Sequence, residues 1–328
     1  MRESAYNIGM SKSLLLTAKP NVKPSPTTKH DEALCLLGAT RLADFITFVR
    51  EGTIGGRERD KGELADLWRQ AAKAFEVLQT SEAGIADSPP VKPLSGVLQS
   101  HVKKLAKLAH FQRTFSAVPV AFGMVELDKL VVYQQRISGS TVSKMTDTLG
   151  VPLSDAALAE LCLPLTPSDA GFRVALEEDG RFIFISDTHD ARFQGAQLVK
   201  PSDVKGLKVH GHSQAVVALS VGFTTNVLNV VRYGSRMVLN NGYHRAFALR
   251  QLGVTHAPCL IQVCAHWEDV GLAGSRDMVD NGPLYFSSAR PPLLKDYANP
   301  ALTQAFPAKR LHRQIRLSYE VETVQLEL

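Results

Sequence analysis

The residues with the clearest chemical potential are Gly242, His244 and Arg245, which follow an apolar segment ending at Leu239. This order predicts a strand followed by a helix that begins at about Tyr243. The unpaired amides and the dipole of a helix start attract anions. Glycine allows close backbone approach, and an arginine guanidinium fits two phosphate oxygens. The spacing predicts a phosphate-binding junction. The alternative is that the glycine only shapes a turn and that the arginine pairs with a surface carboxylate.

This segment resembles the phosphate-binding box of the ParB/sulfiredoxin-like superfamily. In that box a strand leads into a Gly-x-x-Arg-x-x-Ala helix, a Leu-Gly pair and a Pro-led strand. Here it runs from Gly242 through Leu252-Gly253 to Pro258. A second segment, from Val125 to Arg136, is similar to the opening strand and the Gln-x-Arg turn of ParB-type domains.

The resemblance implies a nucleotide ligand, ATP, ADP or CTP, bound with Mg²⁺. It assigns nucleotide contacts to Asn241, Gly242, Tyr243, His244, Arg245, Gln135 and Arg136. It also implies phosphotransfer or nucleotide hydrolysis, with Glu126 and His244 as candidate catalytic residues. For Glu126 the alternative is a surface carboxylate on an edge strand. Because Tyr243 stands where sulfiredoxins carry their catalytic cysteine, sulfiredoxin activity is not expected.

Two other functions stay open. The first is a nucleic-acid-associated binding module, for plasmid, phage or chromosome maintenance, or a nuclease. The net charge of +5 suggests it, because residues 1–115 hold 17 Lys+Arg against 12 Asp+Glu. The lack of helix–turn–helix periodicity after Val263 counts against sequence-specific DNA binding. The second is an inert scaffold that kept the fold and lost the ligand.

Metal binding is a weaker interpretation of two other segments. Asp187, His189 and Asp190 offer oxygen and imidazole donors on a predicted loop. His210 and His212 share one face of an extended segment. Asp and His more often cap turns, and two ligands rarely hold a metal. No metal site is therefore predicted.

The elements that must position these residues indicate an α+β protein. A flexible tail to residue 30 precedes a basic helical region, residues 31–115. A ParB/sulfiredoxin-like mixed α/β domain then spans residues 116–265 and carries a β-rich insertion with a hairpin at about 156–208. A loop-rich extension, residues 266–328, ends in a strand.

Local patterns predict the individual elements. The apolar spacing predicts helices over 31–50, 60–80, 94–110, 140–149, 213–221 and 243–252. Alternation and turn residues predict strands over 172–176, 181–186, 193–199, 228–232, 236–239, 257–263 and 313–328.

Composition excludes several classes of protein. Hydrophobic residues make up 45% and charged residues 21% of the 328 residues, which argues against a disordered chain. No apolar run approaches the roughly 20 residues of a membrane-spanning helix. Four cysteines do not make a disulfide scaffold and favour a reducing, cytoplasmic compartment. Cys259 and Cys264 flank a predicted buried strand and are interpreted as core residues. The sequence permits a homo-oligomer.

Overall fold

The computed structural model describes residues 31–150, 152–166, 171–177, 180–188, 190–206, 211–223, 225–309 and 312–325. The predicted tail to residue 30, His189 and His210 lie outside these residues. The described part of the chain divides into two compact units. The larger holds described residues of Thr27–Pro167 and Thr225–Arg310, and the smaller holds those of Ser168–Thr224 and Leu311–Leu328.

The elements follow in chain order. The strands are β1 (Asp31–Leu36), β2 (Val120–Glu126), β3 (Val131–Val132), β4 (Arg136–Ser138), β5 (Arg173–Leu176), β6 (Phe182–Ser186), β7 (Ala191–Val199), β8 (Val216–Phe223), β9 (Asn229–Tyr233), β10 (Arg236–Asn241), β11 (His256–Cys264), β12 (Thr303–Ala308) and β13 (Arg313–Leu317). The helices are α1 (Leu42–Gly52), α2 (Lys61–Ser81), α3 (Gly96–Leu105), α4 (Ala109–Thr114), α5 (Gly139–Thr148), α6 (Asp155–Cys162), α7 (Tyr243–Gln251), α8 (Trp267–Ala273), α9 (Arg276–Asp280) and α10 (Gly282–Phe286). This mixture of helices and several sheets is consistent with the α+β class.

A five-stranded mixed sheet is the centre of the larger unit, in the order β2-β11-β9-β10-β3. Strand β11 runs parallel to β9 and antiparallel to β2, and β10 runs parallel to β3. Helix α7 packs into the same core cluster, and four consecutive residues of it are buried: Ala246, Phe247, Ala248 and Leu249. A helix buried on all sides is held by its neighbours, so its two ends are fixed in position.

The predicted helix over 31–50 is wrong in its first part. Residues Asp31–Leu36 form β1, which pairs antiparallel with β12 on one side and with β4 on the other. The helix begins only at Leu42. Because the partners of β1 lie about 100 and 270 residues away in sequence, pairing outweighs the local helical spacing. The basic helical region is thus joined by sheet pairing to later parts of the larger unit.

Three other elements differ from prediction. The segment predicted as a helix over 213–221 is β8, which pairs along its length with β7. Its β-branched valines suit a strand. The predicted helix over 94–110 is broken into α3 and α4. The final strand ends at Leu317, and the extension before it contains the short helices α8, α9 and α10.

The hairpin of β5 and β6, the strands β7, β9, β10 and β11, and the helices α2, α5 and α7 are confirmed within a few residues. In the described part of the chain, no helix has both the length and the apolarity needed to cross a bilayer.

All four cysteines are buried, free thiols. Burial raises the pKa of Cys35 and of Cys162 to about 12, that of Cys264 to about 11, and that of Cys259 well above its usual value. A thiol that stays protonated is a poor nucleophile.

We expect iodoacetamide at pH 8 to modify none of the four cysteines in the native protein and all four in urea, as counted by mass spectrometry. The free energy of unfolding should fall as pH rises above about 9, because the unfolded chain then releases thiol protons that the folded chain keeps. The fall should be smaller in the Cys162→Ala variant. Rapid labelling of Cys162 in the native state would contradict the burial of this thiol.

Candidate functional site

The strand–glycine–helix junction predicted from the sequence is confirmed. Gly242 follows β10 directly and has φ 96° and ψ 24°, a left-handed conformation that favours glycine. A Cβ at this position would lie 2.7 Å from Cδ1 and 3.3 Å from Cα of the buried Leu228. The space beside the glycine is therefore filled by the chain itself, from the segment that leads into β9.

Arg245 is buried and donates hydrogen bonds to backbone and side-chain oxygens of the larger unit. The residue is 7% exposed. Its Nη1 donates to the carbonyl oxygens of Leu161 at 2.9 Å and of Asn226 at 2.8 Å, and its Nη2 donates to Oδ1 of Asn226. A phosphate group would have to replace these acceptors. In sequence, Leu161 lies before and Asn226 after residues 168–224, so Arg245 joins two segments of the larger unit that are far apart along the chain.

Tyr243 is also buried, and its hydroxyl is hydrogen-bonded within the protein. It is 4% exposed, and its hydroxyl donates to the carbonyl oxygen of Leu239. The hydroxyl oxygen of Tyr243 in turn accepts from the amides of Tyr133, at 3.3 Å, and of Gln134, at 3.4 Å. Burial raises the pKa of Tyr243 well above its usual value. The tyrosine thus holds the segment before β4 against the start of α7.

His244 joins the starts of two helices. Its Nε2 accepts a hydrogen bond of 2.9 Å from the amide of Ser138, the N-cap residue of α5. Asp31 accepts from the hydroxyls of Ser138, at 2.8 Å, and of Ser140. Because a carboxylate already lies at the start of α5, the protein supplies its own anion where the dipole of that helix favours one.

The remaining predicted nucleotide contacts fall into two groups. The carbonyl oxygen of Gln135 accepts from the amide of Leu36 at 2.8 Å, and Asn241 donates to Oδ1 of Asn226 at 3.3 Å. Arg136 differs, because its side chain is exposed and its guanidinium lies 4.0 Å from the ring centroid of Phe48. Arg136 is therefore the predicted contact whose charged group faces solvent.

Glu126 lies at the other end of α7. It ends β2 opposite His256, and Lys129 Nζ lies 3.1 Å from its Oε2. The next carboxylate, Asp128, binds Arg250 in the last turn of α7. The nine residues of that helix span about 12 Å. The structure therefore does not bring Glu126 together with His244.

The two boxes nevertheless contact each other. Residues 133–138 lie against Tyr243 and His244 through the hydrogen bonds above. The described residues hold no group of three or more His, Cys, Asp or Glu side chains that suits a metal ion. Asp187 pairs with His312 at 2.6 Å.

A second surface stands out by its charge. Between Asp87 and Glu126 the chain has no Asp or Glu, yet it carries five cations: Lys92, Lys103, Lys104, Lys107 and Arg113. We call these five the basic surface. All five are exposed, and in the part of the chain that the structure describes none forms a salt bridge. From the sequence, Lys103, Lys104 and Lys107 are interpreted either as a solvated helix face or as a phosphate-backbone contact surface, and the lack of carboxylates over 88–125 is the sequence signal that favours the second.

The basic surface has a rigid support. Leu98 and Leu105 of α3 and Phe111 of α4 are buried, and His101 Nε2 lies 2.7 Å from the carbonyl oxygen of Leu163. The lysines at the end of α3 lie where its dipole favours positive charge. Unpaired cations on a fixed support can contact a row of phosphates.

A scan against protein-family models, a search of curated proteins and a search of solved structures each found no match to this chain. Function is therefore inferred from geometry and charge.

Gly242 and Gly253 lie at the two ends of α7. Comparing an alanine substitution at each position distinguishes the cost of steric contact from the cost of backbone strain. Both have positive φ, but a Cβ at Gly253 would meet nothing within 4 Å. We expect Gly253→Ala to lower the free energy of unfolding by about 1 kcal/mol and Gly242→Ala by about 2–4 kcal/mol, because only the latter also overpacks the core. Urea unfolding measures both values. Equal losses would show that Leu228 does not fill the corner tightly.

Proposed function

We propose that this protein binds nucleic acid through the basic surface, on a ParB/sulfiredoxin-like domain whose phosphate box serves as a structural corner. The observation that carries the proposal is a run of 38 residues, 88–125, with five exposed cations and no carboxylate. Four buried free thiols agree with a reducing, cytoplasmic location.

The physical basis is electrostatic. Phosphate contacts by Lys and Arg release condensed counterions, and this release supplies most of the affinity of sequence-independent binding. Such binding needs mobile, exposed cations and little geometric fit. Lys103, Lys104 and Lys107 meet this requirement, whereas the buried Arg245 does not. The proposal is therefore binding without sequence specificity.

The test compares the wild type with the variant Lys103→Gln, Lys104→Gln, Lys107→Gln on a fluorescent DNA duplex of random sequence at several salt concentrations. We expect the affinity of the wild type to fall steeply with salt. The variant should bind at least tenfold more weakly at low salt, and its log–log slope should be shallower by about 2.7, since each lost phosphate contact removes about 0.9. A single-stranded arm of the same sequence tests the preferred form.

The matched control changes three other exposed lysines, Lys61, Lys200 and Lys205, to Gln. This control removes the same net charge from other parts of the chain. Its affinity for DNA should fall only slightly, because only the long-range attraction is weakened. Equal losses in the two triple variants would contradict a localised surface. So would wild-type affinity that does not change with salt.

Nucleotide binding at the junction is the second candidate. The packing of residues 133–138 against Tyr243 and His244 favours it, because the family resemblance requires the two boxes to adjoin. Arg136 would supply the first phosphate contact, and Arg245 could contribute only by giving up Leu161 and Asn226. With Glu126 at the far end of α7, this candidate is a binding function and does not include hydrolysis.

Calorimetry with ATP, ADP, CTP and GTP in the presence of Mg²⁺ tests the second candidate. Binding that Arg136→Ala weakens at least tenfold would support it, and the exposed position of this arginine makes a folded variant the expected result. Arg113→Ala, which removes an arginine from the basic surface, is the control and should leave nucleotide affinity unchanged. If none of the four nucleotides binds, the junction has only a structural role.

A further inference from the structure

A depression of about 320 Å³ lies at the turn between β9 and β10. Its lining combines one cation, two hydroxyl-bearing residues and three apolar residues: Arg232, Ser88, Ser235, Pro89, Val91 and Met237. The volume falls at the lower end of the range for pockets that hold small molecules. Polar groups contribute somewhat more of the lining surface than apolar groups do, so the depression is more polar than most such pockets.

The charges at this turn leave one positive charge uncompensated. Arg232 is exposed, and within the described residues no carboxylate pairs with it. The carboxylate of Asp87 is taken up by Nε of the buried Arg236 and by the hydroxyl of Ser235, at 3.3 Å. Arg236 is 4% exposed, and its Nη1 has no acceptor among the described residues. Of these two arginines, only Arg236 pairs with a carboxylate within the described residues.

The rim of the depression is held in a strained conformation. Ser88 has φ 46°, the only positive φ of a residue other than glycine in the described chain. Its amide donates to the carbonyl oxygen of Ser235 at 2.7 Å, which fixes the two serines side by side. Strain of this kind persists where surrounding contacts enforce it, and it concentrates at ligand sites.

We propose that this depression binds a small monocarboxylate with a hydrocarbon body. The guanidinium of Arg232 would donate two parallel hydrogen bonds to the carboxylate, with the hydroxyl of Ser88 as a further donor. The hydrocarbon body would pack on Val91, which is 36% exposed, and on Met237. A single negative charge matches the single uncompensated positive charge, whereas a phosphate dianion would not be neutralised.

The test is a titration of the full chain with hexanoate, followed by ¹H–¹⁵N NMR. We expect saturable shifts of the amide signals of Ser88, Gly234 and Ser235. Arg232→Ala should weaken the affinity at least tenfold. Arg232→Lys should weaken it less, because it keeps the charge and loses the bidentate fork. The absence of saturable shifts at these amides, or wild-type affinity in Arg232→Ala, would overturn the proposal.

Two controls separate this site from other anion binding. Arg113 belongs to the basic surface, so the variant Arg113→Ala should bind hexanoate like the wild type. This control shows that hexanoate binding does not depend on the proposed nucleic-acid surface. Inorganic phosphate at matched ionic strength should bind at least tenfold more weakly than hexanoate at this turn. Equal affinity for phosphate would overturn the assignment of a carboxylate.

Discussion

The buried guanidinium of Arg245 is the constraint on which the corner of the larger unit depends. A buried charge is costly unless several hydrogen bonds satisfy it. Here the acceptors are the backbone carbonyl oxygens of Leu161 and Asn226 and the side chain of Asn226. Those carbonyl groups lie where the chain leaves α6 and where it approaches β9, so neither is paired within a sheet at that point. The arginine and the two segments therefore satisfy each other, and the amide of Leu228 adds a bond of 2.6 Å to the carbonyl oxygen of Cys162.

A second buried arginine explains why residues 290–296 of the predicted C-terminal extension belong to the core of the larger unit. Arg290 is fully buried and binds Asp296 and Glu82, and Glu82 also binds Lys295. Although burial alone would raise the pKa of Glu82, hydrogen bonds from Lys295 and Arg290 hold it below its usual value. This network joins the residue after α2 to residues 290–296. Removing Arg290 would leave the buried carboxylate of Asp296 without a cationic partner, which couples the two regions through this one arginine.

The sequence predicted the elements whose signals are local. Helix α7 has glycine at both ends, and β11 is mostly apolar from Ala257 to Ile261, so each was placed within a residue or two. Strand β1 was missed because its identity depends on partners far away in the chain. Arg245 was correctly seen as a hydrogen-bond donor, whereas His244 accepts through its Nε2. The acceptors of Arg245 were not predictable, because Leu161 and Asn226 lie 84 and 19 residues before it and carry no pattern that marks them.

The same difference between local and distant information distinguishes the strand–glycine–helix junction from the basic surface as a candidate binding site. A buried donor has a fixed set of acceptors, so a ligand binds it only by replacing contacts that stabilise the fold. An exposed cation forms surface pairs worth at most about 1 kcal/mol, so a polyanion replaces little when it binds there. A reaction at the junction would impose a stricter condition, because catalytic groups must lie within hydrogen-bond reach of each other. Glu126 does not meet this condition, since it lies about a helix length from His244. The exposed lysines of α3 need no such alignment. The exposed cations of residues 88–125, a run without carboxylates, therefore impose fewer structural conditions on ligand binding than the junction does.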